Sequence, residues 1–140
     1  VDGVVPHDGS GLDPDNRLTC GLLVSVLDDR EYGSVLVAGL PIAGDRGTMR
    51  KRFVGTAGEG RVRAKTGTLR GVSSLAGVVD TSGGRRLAFA LVSNGDLPYE
   101  IRALHEDVVL ALLSYPAGPG ADLLSPRPVQ FPVVAETSGG

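Results

Sequence analysis

The sequence is poor in cysteine, aromatic residues and long apolar runs, and these absences exclude several classes of protein. Cys20 is the single cysteine, so an internal disulfide and a cysteine-rich metal site are excluded. No segment approaches the roughly 20 apolar residues that cross a bilayer, although membrane association by other means stays open. Acidic residues (16) slightly outnumber basic ones (14) and aromatics are 4%, which argues against a nucleic-acid partner.

The chain also lacks the charged start and apolar run of a signal peptide, because it opens with Val1-Asp2-Gly3. A mature secreted protein has the same appearance, so this absence does not indicate the cytoplasm. With 140 residues, of which 41% are hydrophobic, the chain fits one globular domain or part of one.

Lysine is scarce as well. Lys51 and Lys65 are the two lysines among 14 basic residues, and the other 12 are arginines. Lys65 ends a run from Arg61 in which Val62 and Ala64 alternate with charged residues, the period of a half-buried strand. A compact ammonium at this place in an arginine-rich chain indicates that a point charge matters there.

The triplet Lys65-Thr66-Gly67 and the following Thr68 form the candidate site. Thr66 and Thr68 point to the same face of an extended chain, so both hydroxyls can meet one ligand. A glycine inside a strand often marks the close approach of a ligand or of another backbone. Together with the charge of Lys65, these residues predict a seat for a carboxylate. The alternative interpretation is a surface strand whose lysine faces water.

The rest of the chain predicts helices around an antiparallel meander. Asp13-Pro14 is typical of a helix start and predicts a helix near 16–27, followed by a short helix over 32–38. Strands are predicted over 72–79 and 85–93, after the strand that carries Lys65. Both faces of the last strand are apolar, which predicts a layer of structure on each side. A further helix is predicted over 99–114, with one apolar stripe: Ile101, Leu104, Val108, Ala111 and Leu112.

Four other features suggest chemistry, but for each we prefer an interpretation without chemistry. His7, Asp8 and Ser10 invite a catalytic-triad interpretation, yet neighbours in sequence favour a turn held by the Asp8 and Ser10 side chains. The glycine-rich segment 55–60 lacks the Gly-Lys-Ser/Thr ending of a phosphate loop, so nucleotide binding is rejected. His105 is interpreted as a helix-surface histidine rather than a catalytic base, and the cluster 50–52 as a solvated basic cluster.

An ordered set of segments resembles one known family. The segments are D-G-S-G-L (8–12), L-P-I-A-G (40–44), G-T-M-R-K-R-F (47–53), R-A-K-T-G-T-L (63–69), G-V-S-S-L-A-G (71–77) and R-R-L-A-F-A (85–90). Together they resemble the carboxy-terminal part of the D-alanyl-D-alanine carboxypeptidase/endopeptidase family, the class C low-molecular-mass penicillin-binding proteins. Asp13 departs from the pattern, because relatives usually carry a serine after D-G-S-G-L.

The resemblance implies an α/β (α+β) fold, the carboxy-terminal portion of a penicillin-binding or serine β-lactamase-like domain. This portion is an antiparallel sheet with flanking helices. Residues 1–115 are predicted to belong to that domain, and residues 116–140 to form a proline- and glycine-rich extended tail. Neither a metal nor an organic cofactor is implied.

By the same resemblance, the chain is part of an extracytoplasmic serine D,D-peptidase that acts on peptidoglycan stem peptides and is inhibited by β-lactams. Lys65 is the catalytic residue that maps onto this chain, while Lys65, Thr66, Gly67 and Thr68 bind substrate. The backbone N–H of Thr68 would be one oxyanion donor. The Ser-x-x-Lys and Ser-x-Asn motifs are missing, so an upstream half of the same protein is expected to supply them. The alternative is a non-catalytic cell-envelope module that binds peptide or a partner protein along the same strand edge.

Overall fold

A three-stranded antiparallel sheet with helices on both sides forms the body of the protein. The computed structural model describes residues 3–95 and 98–119. Its helices are α1 (Cys20–Leu27), α2 (Gly33–Gly39) and α3 (Pro98–Leu113), with a short 3-10 helix at Gly47–Met49; its strands are β1 (Val62–Leu69), β2 (Val72–Asp80) and β3 (Arg86–Asn94). The order β1-β2-β3 confirms the predicted meander. Residues 120–140, most of the predicted tail, lie outside the described residues.

The register of the strands sets which side chains share a face of the sheet. Val62 pairs with Val79 and Ala64 with Gly77, while Leu75 pairs with Leu91 across the other seam. Side chains alternate along each strand, so these residues share one face, on which α3 packs. Apolar residues form the core on this face, among them Met49, Phe53, Val62, Ala64, Leu75, Val79, Phe89, Val109 and Leu113.

The opposite face of the sheet is covered only in part. Helix α1 contacts β3 and, to a smaller extent, β2. A cavity of about 270 Å³ lies between the α1–α2 connection and the sheet, where Val37 faces Val78 and Ala88. Helices cover both faces of β3, which confirms the expectation of flanking layers. The outer strand β1 lies outside the main contacts of α1. Within the described ranges, no helix combines the length and apolar character needed to cross a membrane.

Helix α1 begins later than its sequence predicts. Thr19 caps it, because the Thr19 side chain accepts a hydrogen bond of 3.1 Å from the backbone N–H of Leu22. Asp13 was the predicted cap, but its carboxylate accepts a bond of 2.8 Å from the N–H of Asp15 and closes a local turn. The backbone of Arg17 pairs with Val5 as a β-bridge, which is incompatible with a helix at that residue.

Helix α3 buries a different stripe from the one that its apolar residues predict. Its buried residues are His105, Val109 and Leu113, spaced by four, whereas Leu104 is 56% exposed. The interpretation of His105 as a surface residue is therefore wrong: the imidazole is 3% exposed, and its Nε2 lies 2.9 Å from Ser93 Oγ. Nδ1 has no hydrogen-bond partner among the described residues.

Arg52 is also buried, against the interpretation of 50–52 as a solvated cluster. Its Nε donates to Glu106 Oε1 at 2.6 Å, and its Nη2 donates to the carbonyl of Arg102 at 3.3 Å. The guanidinium also lies 5.9 Å from the ring centroid of Phe53. These contacts fasten the segment before β1 to α3, so the ion pair ties together parts of the chain that are distant in sequence.

We expect Arg52→Ala to lower the free energy of unfolding by about 2 kcal/mol, because the half-buried Glu106 loses its charged hydrogen-bond donor and the packing of the buried guanidinium is lost. Urea unfolding of the protein measures this loss. Arg86→Ala is the matched control: Arg86 pairs with Asp80 at 2.7 Å, but both side chains are about half exposed, and such pairs contribute under about 1 kcal/mol. Equal losses in the two variants would contradict the prediction.

A second prediction concerns pH. Burial lowers the pKa of His105 below its ordinary 6.5, and the charge of Arg52 lowers it further. The unfolded chain therefore binds a proton on His105 at a higher pH than the folded chain does. We expect stability to be lost as the pH falls from 6.5 toward the folded-state pKa, and to be lost less steeply in His105→Gln. Urea midpoints of both proteins at about pH 7.5 and about pH 5.5 test this. An equal fall of the midpoint in the wild type and in His105→Gln would contradict the prediction.

Candidate functional site at the Lys65–Leu69 edge

The outer side of β1 is paired along only part of its length. The N–H of Ala43 donates to the carbonyl of Val62 at 2.9 Å, and the N–H of Ala64 donates to the carbonyl of Pro41 at 3.0 Å. Beyond Ala64, no strand among the described residues pairs with this side of β1. Residues Lys65–Leu69 therefore form an open strand edge, which we call the K-T-G edge.

The bonds at Val62 and Ala64 also determine which backbone groups the K-T-G edge presents. In an antiparallel strand, alternate residues direct both their N–H and their C=O to the same side. Val62 and Ala64 direct theirs outward, so Thr66 and Thr68 do the same. Lys65 and Gly67 bond to β2 instead. The open edge thus offers the N–H and C=O groups of two successive outward residues, the pattern that an added peptide strand needs.

The side chains of the edge come from both faces of the sheet. Thr66 and Thr68 extend from the face that carries α3, while Lys65 extends from the opposite face. The exposed ammonium of Lys65 nevertheless reaches the edge, because its Nζ donates to the carbonyl of Thr66 at 2.6 Å. The positive charge therefore lies at the edge itself, although Lys65 and the two threonines extend from opposite faces of the sheet.

Gly67 lies against a side chain of the neighbouring strand. A methyl group at this position would press on Ser74 Oγ, the rotatable end of a side chain on β2, while Ser74 Cβ lies at an ordinary 3.7 Å. The sequence suggested that a ligand or a backbone approaches this glycine, but the group that the structure places there is a side-chain hydroxyl. Only the register of β1 on β2 reveals it, since Ser74 is the cross-strand partner of Gly67.

Positive charge accumulates along β1 on the face of Lys65. Arg61, Arg63 and Lys65 alternate with apolar residues and so project to the same side. The nearby Asp80 has its pKa held below its usual range by its hydrogen bond with Arg86, with smaller effects from the charges of Arg63 and Arg61. Asp80 therefore offsets part of this charge, and the ammonium of Lys65 is the cation of the row that lies next to the open edge.

The segment 7–16 forms a turn rather than a triad. The Asp8 carboxylate accepts hydrogen bonds from the Ser10 hydroxyl, from Asn16 Nδ2 at 2.7 Å and from the N–H of Gly11 at 3.0 Å. These bonds, led by those of Ser10 and Asn16, lower the pKa of Asp8 far below its ordinary value. The Asp8 side chain holds the turn, as its sequence predicted.

One group of potential metal ligands lies in the same loop of the described chain. It consists of His7, Asp13 and Asp15, whose ligand atoms lie within 4.8 Å of one another. His7 and Asp15 are exposed, and Asp13 is half-buried. Exposed acidic groups of this kind are common on protein surfaces, and we assign this one no chemistry.

Comparison with known proteins relates the chain to a family of enzymes. The D-alanyl-D-alanine carboxypeptidase of Actinomadura sp. (strain R39) is 38% identical over 121 residues, which cover 81% of this chain and 22% of that protein. This chain thus spans about a fifth of the length of that curated relative. Two crystal structures of penicillin-binding protein 4 (DacB) from Haemophilus influenzae, the second complexed with a novel β-lactam, are also similar.

The structural likeness extends over most of the chain. Both structures give a TM-score of 0.69, with 27% and 28% identity over 81% and 80% of this chain, and 28% and 29% of theirs. They confirm the expected fold, a sheet with flanking helices of the penicillin-binding type. Residues 1–112 match the model of the D-Ala-D-Ala carboxypeptidase 3 (S13) family, in agreement with the resemblance in the sequence. The chain therefore belongs to the D-Ala-D-Ala carboxypeptidase 3 (S13) family.

Proposed function

We propose that this chain supplies the substrate-binding edge of a serine-type D-alanyl-D-alanine carboxypeptidase/endopeptidase. The enzyme acts on peptidoglycan stem peptides outside the cytoplasm, by acyl-enzyme chemistry that β-lactams inhibit. The observation that carries the proposal is the open K-T-G edge, where Thr66 and Thr68 direct their backbone groups outward beside the Lys65 ammonium. Family membership supplies the reaction class, and the edge supplies a place for the substrate.

The edge suits a peptide that ends in a carboxylate. The substrate backbone adds to β1 as a further strand and exchanges hydrogen bonds with the outward groups of Thr66 and Thr68. The Thr66 and Thr68 hydroxyls donate to the terminal carboxylate, and charge-assisted bonds of this kind are among the stronger ones. The ammonium of Lys65 adds attraction for the same anion.

The reaction itself needs a nucleophile that this chain does not contain. Its two lysines follow Thr48 and Val62 by three residues, so no Ser-x-x-Lys motif is present. We assign the serine, with the Ser-x-Asn motif, to an upstream half of the same protein, for which the length of the Actinomadura relative leaves ample room. The serine Oγ attacks the penultimate D-alanine carbonyl, the C–N bond breaks, D-alanine leaves, and water then hydrolyses the ester.

Two groups of this chain act during that step in the proposal. The outward N–H of Thr68 donates to the oxyanion that develops on the attacked carbonyl, in a place where a fixed donor costs no reorganisation. Lys65 stabilises the developing negative charge and supports proton handling by the upstream serine and lysine. The proposal uses no metal and no organic cofactor, since side chains and backbone donors supply each of these roles.

The absence of a nucleophile also favours a second candidate function. A non-catalytic cell-envelope module could bind peptide or a partner protein along the same edge without any turnover. The two functions differ in one measurement: a full-length protein that binds a peptide ending in D-Ala-D-Ala, but neither hydrolyses it nor reacts with penicillin, would favour the binding module.

We expect labelled penicillin to attach covalently to the full-length protein, which contains the upstream half, and not to the isolated 140 residues. The label should map by mass spectrometry to a serine outside this chain, because the chain supplies the carboxylate site and lacks the nucleophile. Labelling of the isolated 140 residues would overturn the assignment of the nucleophile to an upstream half.

Lys65→Ala in the full-length protein is expected to slow acylation by penicillin about 100- to 1,000-fold, because the site loses a charged group that stabilises the transition state. The only other lysine of the chain provides the matched control. Lys51 is exposed and precedes the buried Arg52, so Lys51→Ala should acylate at the normal rate. Stopped-flow or gel-based labelling measures both rates, and near-normal acylation of Lys65→Ala would reject its role.

A further inference from the structure

Four polar residues are buried in the described part of the chain, and two of them have an evident structural role. Arg52 is held by its ion pair, and the Thr81 hydroxyl accepts a bond of 3.1 Å from the N–H of Arg85. The other two are Ser73 and His105. The Ser73 hydroxyl and His105 Nδ1 have no hydrogen-bond partner among the described residues. Buried polar groups usually have partners, so this pair needs an explanation.

Ser73 and His105 belong to one line of polar side chains that crosses the sheet. Ser73 pairs directly with Thr68 on β1 and with Ser93 on β3. Side chains alternate along a strand, so all three hydroxyls extend from the face that carries α3. On that face, Ser93 Oγ lies 2.9 Å from Nε2 of His105. The hydroxyl row, made of Ser93, Ser73 and Thr68, therefore runs from the buried imidazole to the open edge.

The spacing of the hydroxyl row suits hydrogen bonds between its members. Directly opposite residues have Cβ atoms about 4.5–5.5 Å apart, a gap that serine and threonine hydroxyls can bridge. Thr68 and Ser73 form the closer type of pair, because Thr68 directs its backbone groups away from β2. These two residues also border a cavity of about 240 Å³, which leaves their hydroxyls room to turn toward each other.

The imidazole gives the hydroxyl row a direction. Burial lowers the pKa of His105, so the ring is neutral at neutral pH and has one N–H and one acceptor nitrogen. Among buried backbone groups, an N–H without a partner is rarer than an acceptor without one. By the same preference, the unpartnered Nδ1 is the acceptor and Nε2 donates to Ser93 Oγ. Each hydroxyl of the row can then accept from the inner side and donate toward the edge.

We propose that His105 is a positioning residue for the substrate carboxylate and acts through the hydroxyl row. A carboxylate only accepts hydrogen bonds, so Thr68 helps to bind it only while its hydroxyl hydrogen points to the open edge. The row holds this orientation before the substrate arrives, which lowers the cost of ordering the hydroxyl on binding. This inference rests on the proposed function and adds to it a residue of α3 that lies away from the edge.

A double-mutant cycle in the full-length protein tests the row, with the rate of acylation by labelled penicillin as the measurement. Thr68→Val removes the hydroxyl and should slow acylation about 10- to 100-fold, as expected for a hydrogen bond to a charged group. Ser73→Ala should slow it about fivefold, as expected for a neutral hydrogen bond. In the Thr68→Val background, Ser73→Ala should have almost no further effect, because both changes act on the same bond. Equal slowing in the two backgrounds would overturn the proposal.

Ser74 provides the matched control, because it follows Ser73 on β2 and extends from the opposite face of the sheet. Ser74→Ala should acylate at the normal rate, and a loss equal to that of Ser73→Ala would contradict the role of the α3 face. Two variants of His105 separate hydrogen bonding from packing. His105→Gln keeps an N–H near the position of Nε2 and should retain most of the rate, whereas His105→Leu should lose about fivefold. Equal rates in these two variants would overturn the proposal.

The outcomes separate this inference from the proposed function. If the wild type reacts with penicillin and Ser73→Ala reacts equally fast, the enzyme function stands and the hydroxyl row is wrong. If the wild type does not react, the proposed function fails and the role of the row in substrate binding fails with it. Nitrogen NMR of the full-length protein with isotope-labelled histidine is an independent check. We expect the hydrogen of His105 on Nε2, and a hydrogen on Nδ1 would overturn the direction of the row.

Discussion

The site depends on the point at which the outer side of β1 stops being paired. Pro41 and Ala43 bond to the first residues of the strand, and Ala64 is the last residue held in this way. This short pairing fixes the strand firmly to the body of the protein, and it leaves the following residues open. A strand that is anchored at one end and unpaired beyond it suits a binding site for an extended peptide.

The packing on the α3 face supports the strand that carries the edge. The buried residues of β1 and β2 form one apolar layer with the segment 49–53 and with α3. The ion pair between Arg52 and Glu106 also fastens that segment to α3. The strand behind the open edge, β2, is held by β1 and β3 on its two edges and contacts both α3 and α1.

The periodic and ordered parts of the sequence predicted the fold well. Alternation predicted the strands, and the ordered segments around K-T-G predicted the family. The predicted start of α1 was wrong. Asp13-Pro14 is a strong local cap signal, but the bridge between Arg17 and Val5 is a tertiary contact that overrides it. The predicted buried stripe of α3 was wrong for a related reason. The observed stripe contains His105, whose hydrogen-bond partner Ser93 lies on β3. Ser74 as the cross-strand neighbour of Gly67 could not be predicted, because pairing depends on register, which one sequence does not reveal.

The bond between Lys65 and the carbonyl of Thr66 has one more consequence, which concerns solubility. An exposed strand edge is a template on which a second copy of a chain can add and begin to aggregate. Lys65 Nζ occupies one of the outward acceptors of this edge, so a strand from another copy would have to displace a charged donor to pair there. The ammonium that attracts an anionic peptide end therefore also discourages the edge from pairing with its own kind.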